Sequence, residues 1–447
     1  MTANSKYVEN SAVEVVDYRI LHTVSHEFNG DFNRFRKSIS KNKSLESINI
    51  KGVNDYIDSI YRIKEEKDHY SKEEKCYSLE EDYKYLSEIF IYRNNALAGR
   101  FSGKWILIVL PSLPLKSVEA CASLFFLISE SIITIVKLIR PPKADSLKIS
   151  SIDEMIETIC YLQKPQDLAI DKKAVLARFQ HRDINDFLDN LFDNTNKDVY
   201  SLSEVFFIAY YFLFYLIGKS KNNSNSKGKY NKYYKHYNEF LNVFNTTLFT
   251  TSILFIPPSM FSNATFIDKI PNLIYSYSRT AKKRDFVNDI SISDDSKFFM
   301  TYNRFLMVFK EGKDLEEEKD HWVSRAFVIN EVISGIFYAL HYFANEYARL
   351  AKKKFPWRQT KKQRQLFLNR VMEYSSSFFD PNFSQPIWRL LDASFKINEF
   401  TVVLKTIKDN IVMSETIKLN RRILSITIVL VTLTIVLILL TIVQVIH

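Results

Sequence analysis

Residues 423–446, ILSITIVLVTLTIVLILLTIVQVI, form a run of 24 residues without a charge, and only His447 follows it. As a helix rising about 1.5 Å per residue the run covers roughly 36 Å, enough to cross a hydrocarbon core about 30 Å thick. Soluble helices of that length keep a charged face, and this one has none. The sequence therefore predicts a membrane-spanning helix. Lys418, Arg421 and Arg422 stand just before it, and positive charge on that side places the preceding chain in the cytoplasm. The first residues, MTANSKYVENSAVEVV, show no basic segment followed by an apolar core, so insertion rests on the C-terminal helix. The expected location is the inner or cytoplasmic membrane, with a single pass, a tail anchor and an N-terminal body in the cytoplasm.

The 447 residues are 46% hydrophobic, which is enough to bury a core of one large or two ordinary domains. Eight glycines are few for this length and argue against glycine-rich phosphate loops. The three cysteines, Cys76, Cys121 and Cys160, are odd in number and widely spaced, as in a reducing compartment and unlike a disulfide framework or zinc knuckle. The formal charge of +10 suits nucleic acid or anionic lipid, and its placement along the chain decides between them.

The pattern along the chain predicts an α+β fold that is helix-dominated, with a mixed α/β cytoplasmic body, a three-helix C-terminal stalk and one transmembrane helix. Residues 13–39 carry apolar positions at helical spacing, and 57–91 read as exposed helices rich in Lys, Glu and Tyr. WILIVLPSLPL, at 105–115, reads as a strand stopped by Pro111 and Pro114. Residues 117–139 read as a buried helix, since Glu119, Glu130 and Lys137 argue against a second membrane span. Further helices are expected at 152–162, 172–193 and 203–218, and strands at 245–257 and 297–309.

The polar, basic segment KSKNNSNSKGKYNK at 219–232 is the best internal boundary. After Gly312 three helical patterns remain, at 315–353, 360–378 and from 387 into the anchor. The expected domains are a body at 1–312, a helical stalk at 313–422 and the membrane helix at 423–446.

No catalytic residue can be assigned and no cofactor is expected. His22 and His26, in HTVSHEF, would share one face of a helix and, with Glu27, make the least poor metal candidate. A zinc-protease site would need Glu directly after the first His, where Thr23 stands. GRFSGK at 99–104 is one residue short of a phosphate loop and is followed by Trp105, where magnesium needs a hydroxyl. Neither a nucleophile elbow nor a dinucleotide fingerprint is present.

A basic run comprises Arg349, Lys352, Lys353, Lys354, Arg358, Lys361, Lys362 and Arg364, with no acidic residue between Glu346 and Glu373. In an antiparallel stalk, the turn carrying this run faces the membrane, where each cation contributes about 1 kcal/mol against anionic headgroups. Aromatic residues are not interleaved through it, which disfavours nucleic acid as its partner. Within the anchor Thr427, Thr434 and Thr441 are seven apart, and Asn420 and Gln444 fall on the same seam. Polar residues along one face favour helix association in lipid, so a homo-oligomer is expected, with a threonine-lined pore as its extension. The alternative at these positions is that each hydroxyl satisfies itself on the preceding turn.

The strand FFMTYNRFLMVF, the helix HWVSRAFVINEVISGIFYALHYFANEYARL, a second helix and KLNRRILSITIVLV leading into lipid resemble, in their order, CorA-type divalent-cation transporters and their diverged bacterial relatives. The resemblance covers residues 296–447 and implies a long helix descending from a soluble body, with oligomerisation around it. That family's second span and its Gly-Met-Asn motif have no counterpart, since no glycine follows Gly335. The function expected is that of a non-enzymatic, tail-anchored oligomer with a cytoplasmic sensing or binding body for an unidentified ligand. Its output would be ion conduction or membrane perturbation, as in a defence or stress effector. The alternatives are a membrane-tethered metal-dependent enzyme and a basic adaptor for nucleic acid or anionic lipid.

Overall fold

The computed structural model describes residues 14–27, 32–41, 45–48, 57–63, 105–141 (except 117, 130 and 131), 147–178, 198–218, 248–275 (except 271), 288–289, 291, 294–301, 303–312, 315–351 and 416–438 (except 418 and 437). The chain opens with β1 (Glu14–Val15), β2 (Asp17–Glu27), α1 (Phe32–Ser40), β3 (Leu45–Ile48) and β4 (Ile57–Ile63). Next come β5 (Trp105–Pro114), β6 (Cys121–Ser129), β7 (Ile132–Arg140), β8 (Lys148–Ile149) and α2 (Ile152–Leu162). These are followed by β9 (Ala169–Asp171), α3 (Lys172–Arg178), β10 (Val199–Ser201), α4 (Leu202–Gly218) and β11 (Phe249–Ile256). The body ends with α5 (Pro258–Phe261), α6 (Ala264–Lys269), α7 (Asn272–Tyr275), β12 (Asn288–Asp289), β13 (Ser296–Met300), β14 (Arg304–Lys310) and α8 (Leu315–Ala351).

Ten strands make one mixed sheet in the order β12-β13-β14-β11-β2-β7-β6-β5-β4-β3. Its pairs are antiparallel except β11 with β14 and β4 with β5. The body is therefore built around a sheet, and the helix-dominated expectation is corrected. Residues 117–139 are where that expectation fails most plainly: the apolar run is two strands, β6 and β7, each buried on both faces. A strand covered on both sides has no polar alternation to mark it, so it imitates a buried helix. The β-branched series Ile132, Ile133, Thr134, Ile135 and Val136 is the local signal that favours the extended chain.

Other expectations divide in the same way. Residues 13–39 give strand β2 before helix α1, and 57–91 begin with strand β4. The expected strand at 297–309 is a hairpin of β13 and β14, closed by Thr301 N–H donating to Arg304 O at 2.8 Å. The strand at 105–115 and the helices at 152–162, 203–218 and 315–353 stand as β5, α2, α4 and α8 to within two residues. The segment 219–232, the second stalk helix and the third up to residue 415 lie outside the described residues, while 416–422 (except 418) are helical.

The central strand β2 has no solvent face. Tyr18, Ile20 and Val24 point to the side covered by Phe32, Phe35 and Ile39 of α1, Met155 and Ile159 of α2, and Val205 and Phe206 of α4. The opposite side lies under α8, whose Phe327, Phe337 and Trp322 meet Phe125, Phe249 and Phe309 at ring-centroid distances of 5.3, 6.0 and 4.7 Å. Two buried polar contacts fix α8 along β2. Near its start Lys319 Nζ lies 2.7 Å from Asp17 Oδ2, while Arg19 Nη1 donates to Asp17 Oδ1. Farther on, Asn330 Oδ1 accepts from Thr251 Oγ1 at 2.5 Å and its Nδ2 donates to Thr23 Oγ1 at 3.1 Å. From Asp17 to Thr23 a strand advances about 20 Å, and from Lys319 to Asn330 a helix advances about 17 Å, so the two run side by side in one direction.

The chain divides into two compact units, Met1–Leu390 and Leu391–His447. In the second, the described residues form a helix whose segment Leu419–Val436 has a mean hydropathy of 1.7 and is wholly exposed. By length and composition it is the one helix among the described residues able to cross a membrane.

Removing half of a buried polar contact strands its partner. Asn330→Ala is expected to cost about 1–3 kcal/mol by leaving two buried hydroxyls unpaired, and Lys319→Ala about 1–3 kcal/mol by removing the partner of Asp17 Oδ2 while Arg19 stays on Oδ1. Both are measured as a lower denaturation midpoint of the body.

Candidate functional site

Strand register places four polar residues side by side across the middle of the sheet. Lys137 of β7 lies opposite His22 of β2, His22 opposite Thr250 of β11, and Thr250 opposite Arg304 of β14. Neighbouring strands are about 4.8 Å apart, so the row spans roughly 14 Å. All four side chains are buried on the face that α2 covers.

Helix α2 brings its C-terminal end onto this row. The helix begins in a serine cap, with Ser151 Oγ accepting from Glu154 N–H at 3.2 Å. The Glu154 carboxylate turns back to accept from the Ser150 hydroxyl and from Ser150 N–H at 2.9 Å, and these contacts, the hydroxyl first, hold it below the usual glutamate range. Met155, Ile159 and Leu162 fill its inner face. At the far end the Leu162 carbonyl lies 3.0 Å from His22 Nε2. A carbonyl oxygen only accepts, so Nε2 carries the proton. Nδ1 therefore accepts from Thr250 Oγ1, 3.1 Å away. Burial, opposed by the Leu162 bond and joined by the positive charge of Arg304, pushes the His22 imidazole down to about 3. Both ring nitrogens are engaged, and the ring is a neutral bridge among β2, β11 and α2 rather than a free base.

Next to it Gln163, at the C-cap of α2, donates through Nε2 to Ser252 Oγ at 2.8 Å. Its Oε1 accepts from Arg304 Nη1 at 3.0 Å, and the same Nη1 donates to Ile274 O at 3.2 Å. Lys137 differs from these neighbours. Its Nζ is fully buried with no hydrogen-bond partner among the described residues, and burial holds the amine well below the usual lysine range. An unpaired ammonium here would carry a prohibitive desolvation cost, so the group stands as the neutral amine.

The metal candidate does not assemble. His22 and His26 lie on a strand, where four residues separate them by about 13 Å along one face, and Glu27 falls on the opposite face. His26 Nδ1 pairs with Tyr210 Oη at 3.1 Å, and its ring packs against Tyr210 and Tyr338. No cluster of three metal-ligating side chains occurs among the described residues. Of the basic run, Arg349 lies in α8, and Lys352, Lys353, Lys354, Arg358, Lys361, Lys362 and Arg364 lie outside the described residues. On the anchor seam Asn420, Thr427 and Thr434 are exposed, while Thr441 and Gln444 lie outside the described residues. Thr427 donates to Ile423 O and Thr434 to Leu430 O, each at 2.9 Å, so these two hydroxyls spend their protons on their own helix.

Sequence reading missed Lys137, Gln163, Thr250 and Arg304. The available signal was a lysine within IITIVKLIR, where a charge interrupts an otherwise apolar, β-branched run. Comparison with protein-family models, curated proteins and solved structures finds no match.

The two shifted bases predict opposite responses to substitution. Unfolded His22 titrates near 6.5 and folded His22 near 3, so the stability it contributes is intact above pH 6.5 and is lost as pH falls. The loss is about 2 kcal/mol by pH 5. The gap in unfolding free energy between wild type and His22→Gln should therefore narrow between pH 7 and pH 5. Lys137 is neutral when folded and charged when unfolded, so it lowers stability at neutral pH and ceases to do so as pH rises toward the ordinary lysine range. Lys137→Met is expected to raise the denaturation midpoint at pH 7, with a gain that shrinks as the pH is raised.

Proposed function

We propose that the chain is a single-pass, tail-anchored membrane protein that self-associates through its anchor and carries a non-enzymatic cytoplasmic body for sensing or binding. The observation that carries this reading is the exposed apolar helix Leu419–Val436. That segment is wholly exposed, and transfer into lipid removes its apolar surface from water. Lys418, Arg421 and Arg422 at its start favour a cytoplasmic body, and the basic run from Arg349 favours contact with anionic headgroups.

The seam of Thr427, Thr434 and Thr441 supports self-association. A hydroxyl that donates to its own helix keeps oxygen lone pairs for a neighbouring helix. Leakage of ions through such an assembly is the output consistent with the CorA-like order of parts, and it defines the defence or stress role proposed for the chain. The metal-enzyme alternative loses its ligands, because His22 and His26 do not converge.

The test is extraction and mass. Alkaline carbonate should leave the intact chain in the membrane pellet and release a chain truncated before Ile423. Light scattering in detergent should give an oligomer that falls to monomer on the same truncation. Thr434→Leu is expected to weaken the oligomer and to lower single-channel conductance in planar bilayers. A monomer in both forms overturns the seam and the leakage together.

A further inference from the structure

We infer that Lys137 is a covalent site for an apolar aldehyde or ketone, held as an imine within the core of the body. This goes beyond the membrane reading and does not depend on it. Its basis is the geometry around Nζ. The amine is wholly buried and unpartnered among the described residues. Of its cross-strand neighbours, Leu124 has no polar side-chain atom, and His22 has both nitrogens committed, to Thr250 and to Leu162. The nitrogen lone pair therefore has no competing donor on either adjacent strand.

The surroundings select the partner. Along β7 the residues on the same face are Ile135 and Ile139, and the layer above them is the apolar inner surface of α1, α2 and α4. On the elements that cover this face, Asp153, Glu154 and Glu157 of α2 are exposed. Glu204 of α4 is buried and accepts from Ser201 N–H, and Arg304 donates to Gln163 and Ile274. Tyr18, on β2, keeps its proton because burial pushes its phenol up. Burial likewise keeps the Lys137 amine unprotonated, the form in which a lysine is a nucleophile.

The reaction is self-contained. The nitrogen lone pair forms a bond to the carbonyl carbon while the carbonyl π bond breaks toward oxygen. Both amine hydrogens then leave with that oxygen as water, and a carbon–nitrogen double bond remains. Nothing is oxidised or reduced. The product has no N–H donor left to satisfy. Admission requires local opening of the short helices over the face, which takes less free energy than global unfolding.

The test exposes the full-length chain in detergent to hexanal for timed intervals, then unfolds it in denaturant containing sodium borohydride, which reduces the imines present to stable amines, and locates adducts by peptide mass spectrometry. Lys137 is expected to be modified at a rate that rises less steeply between pH 7 and pH 9 than that of exposed lysines. Exposed Lys116, Lys148 and Lys173 should speed up about tenfold per pH unit, as ordinary lysines do. Glyoxylate, a charged aldehyde, should modify Lys137 at least about tenfold more slowly than hexanal, because its carboxylate has to be desolvated.

Hexanal should also raise the melting temperature of wild type and leave that of Lys137→Met unchanged. If Lys137→Met does not fold, the pH profile of wild type decides alone. The inference is overturned if Lys137 stays unmodified while the exposed lysines react. It is equally overturned if the Lys137 adduct grows with pH as steeply as theirs, which marks reaction through an unfolded chain, or if glyoxylate reacts there as fast as hexanal.

Discussion

Strand β2 lies in the interior of the sheet and under helices on both sides, so every polar side chain along it has to find a partner inside the protein. Asp17 finds Lys319 and Arg19, Thr23 finds Asn330, Ser25 finds Thr134 at 2.9 Å, and His22 finds Thr250 and Leu162. These contacts do more than satisfy β2. Between them they reach four neighbours, so together they fix where β7, β11, α2 and α8 lie. A slip of one residue along β2 would exchange its two faces and break all of them at once. Its apolar positions set the depth of burial, and its polar positions set the register.

Against that background Lys137 is the exception. The strand beside β2 carries a titratable group of the same kind of exposure as His22, in the same row, without the partners that make His22 affordable. A neutral, unpartnered amine in a core costs on the order of 1–3 kcal/mol, and Met or Leu would pack the same space at no such cost. A strained or unsatisfied group retained in a core points to a use for it.

Much of the body's element order was legible in the sequence, and the reasons for the failures are specific. Helices α2, α4 and α8 were readable because each carries an apolar face or an apolar run bounded by caps and breakers. Strand β5 was readable from its apolar, β-branched run and from Pro114 at its end, while Pro111 sits within it, at the register shift between Leu110 and Leu113. The 117–139 region was not, because strands buried on both faces lose the period of two that identifies them. The same fact hid the candidate row. Lys137, His22, Thr250 and Arg304 are distant in sequence and become neighbours only through register, which no local pattern encodes. The His22 and His26 spacing misled for the mirror reason: four apart is one face of a helix, and on a strand it is two positions too far for a shared ligand. The helix at 419–436, long and apolar enough to cross a membrane, was legible because length and apolarity are both local properties.

The pairing of β2 with β11 also sets a clock. His22 and Thr250 are 228 residues apart, which at about 5–20 residues per second is roughly ten to fifty seconds of synthesis. Throughout that interval the strand that becomes the middle of the sheet has one ladder edge open, and α8, which seals its second face through Asn330, emerges later still. A nascent chain in this state exposes an apolar, unpaired edge of the kind that invites association. The apolar helix at 419–436 leaves the ribosome after all of these elements, so the sheet can close before that helix is exposed. The order of elements along the chain thus keeps the two apolar surfaces from being exposed together.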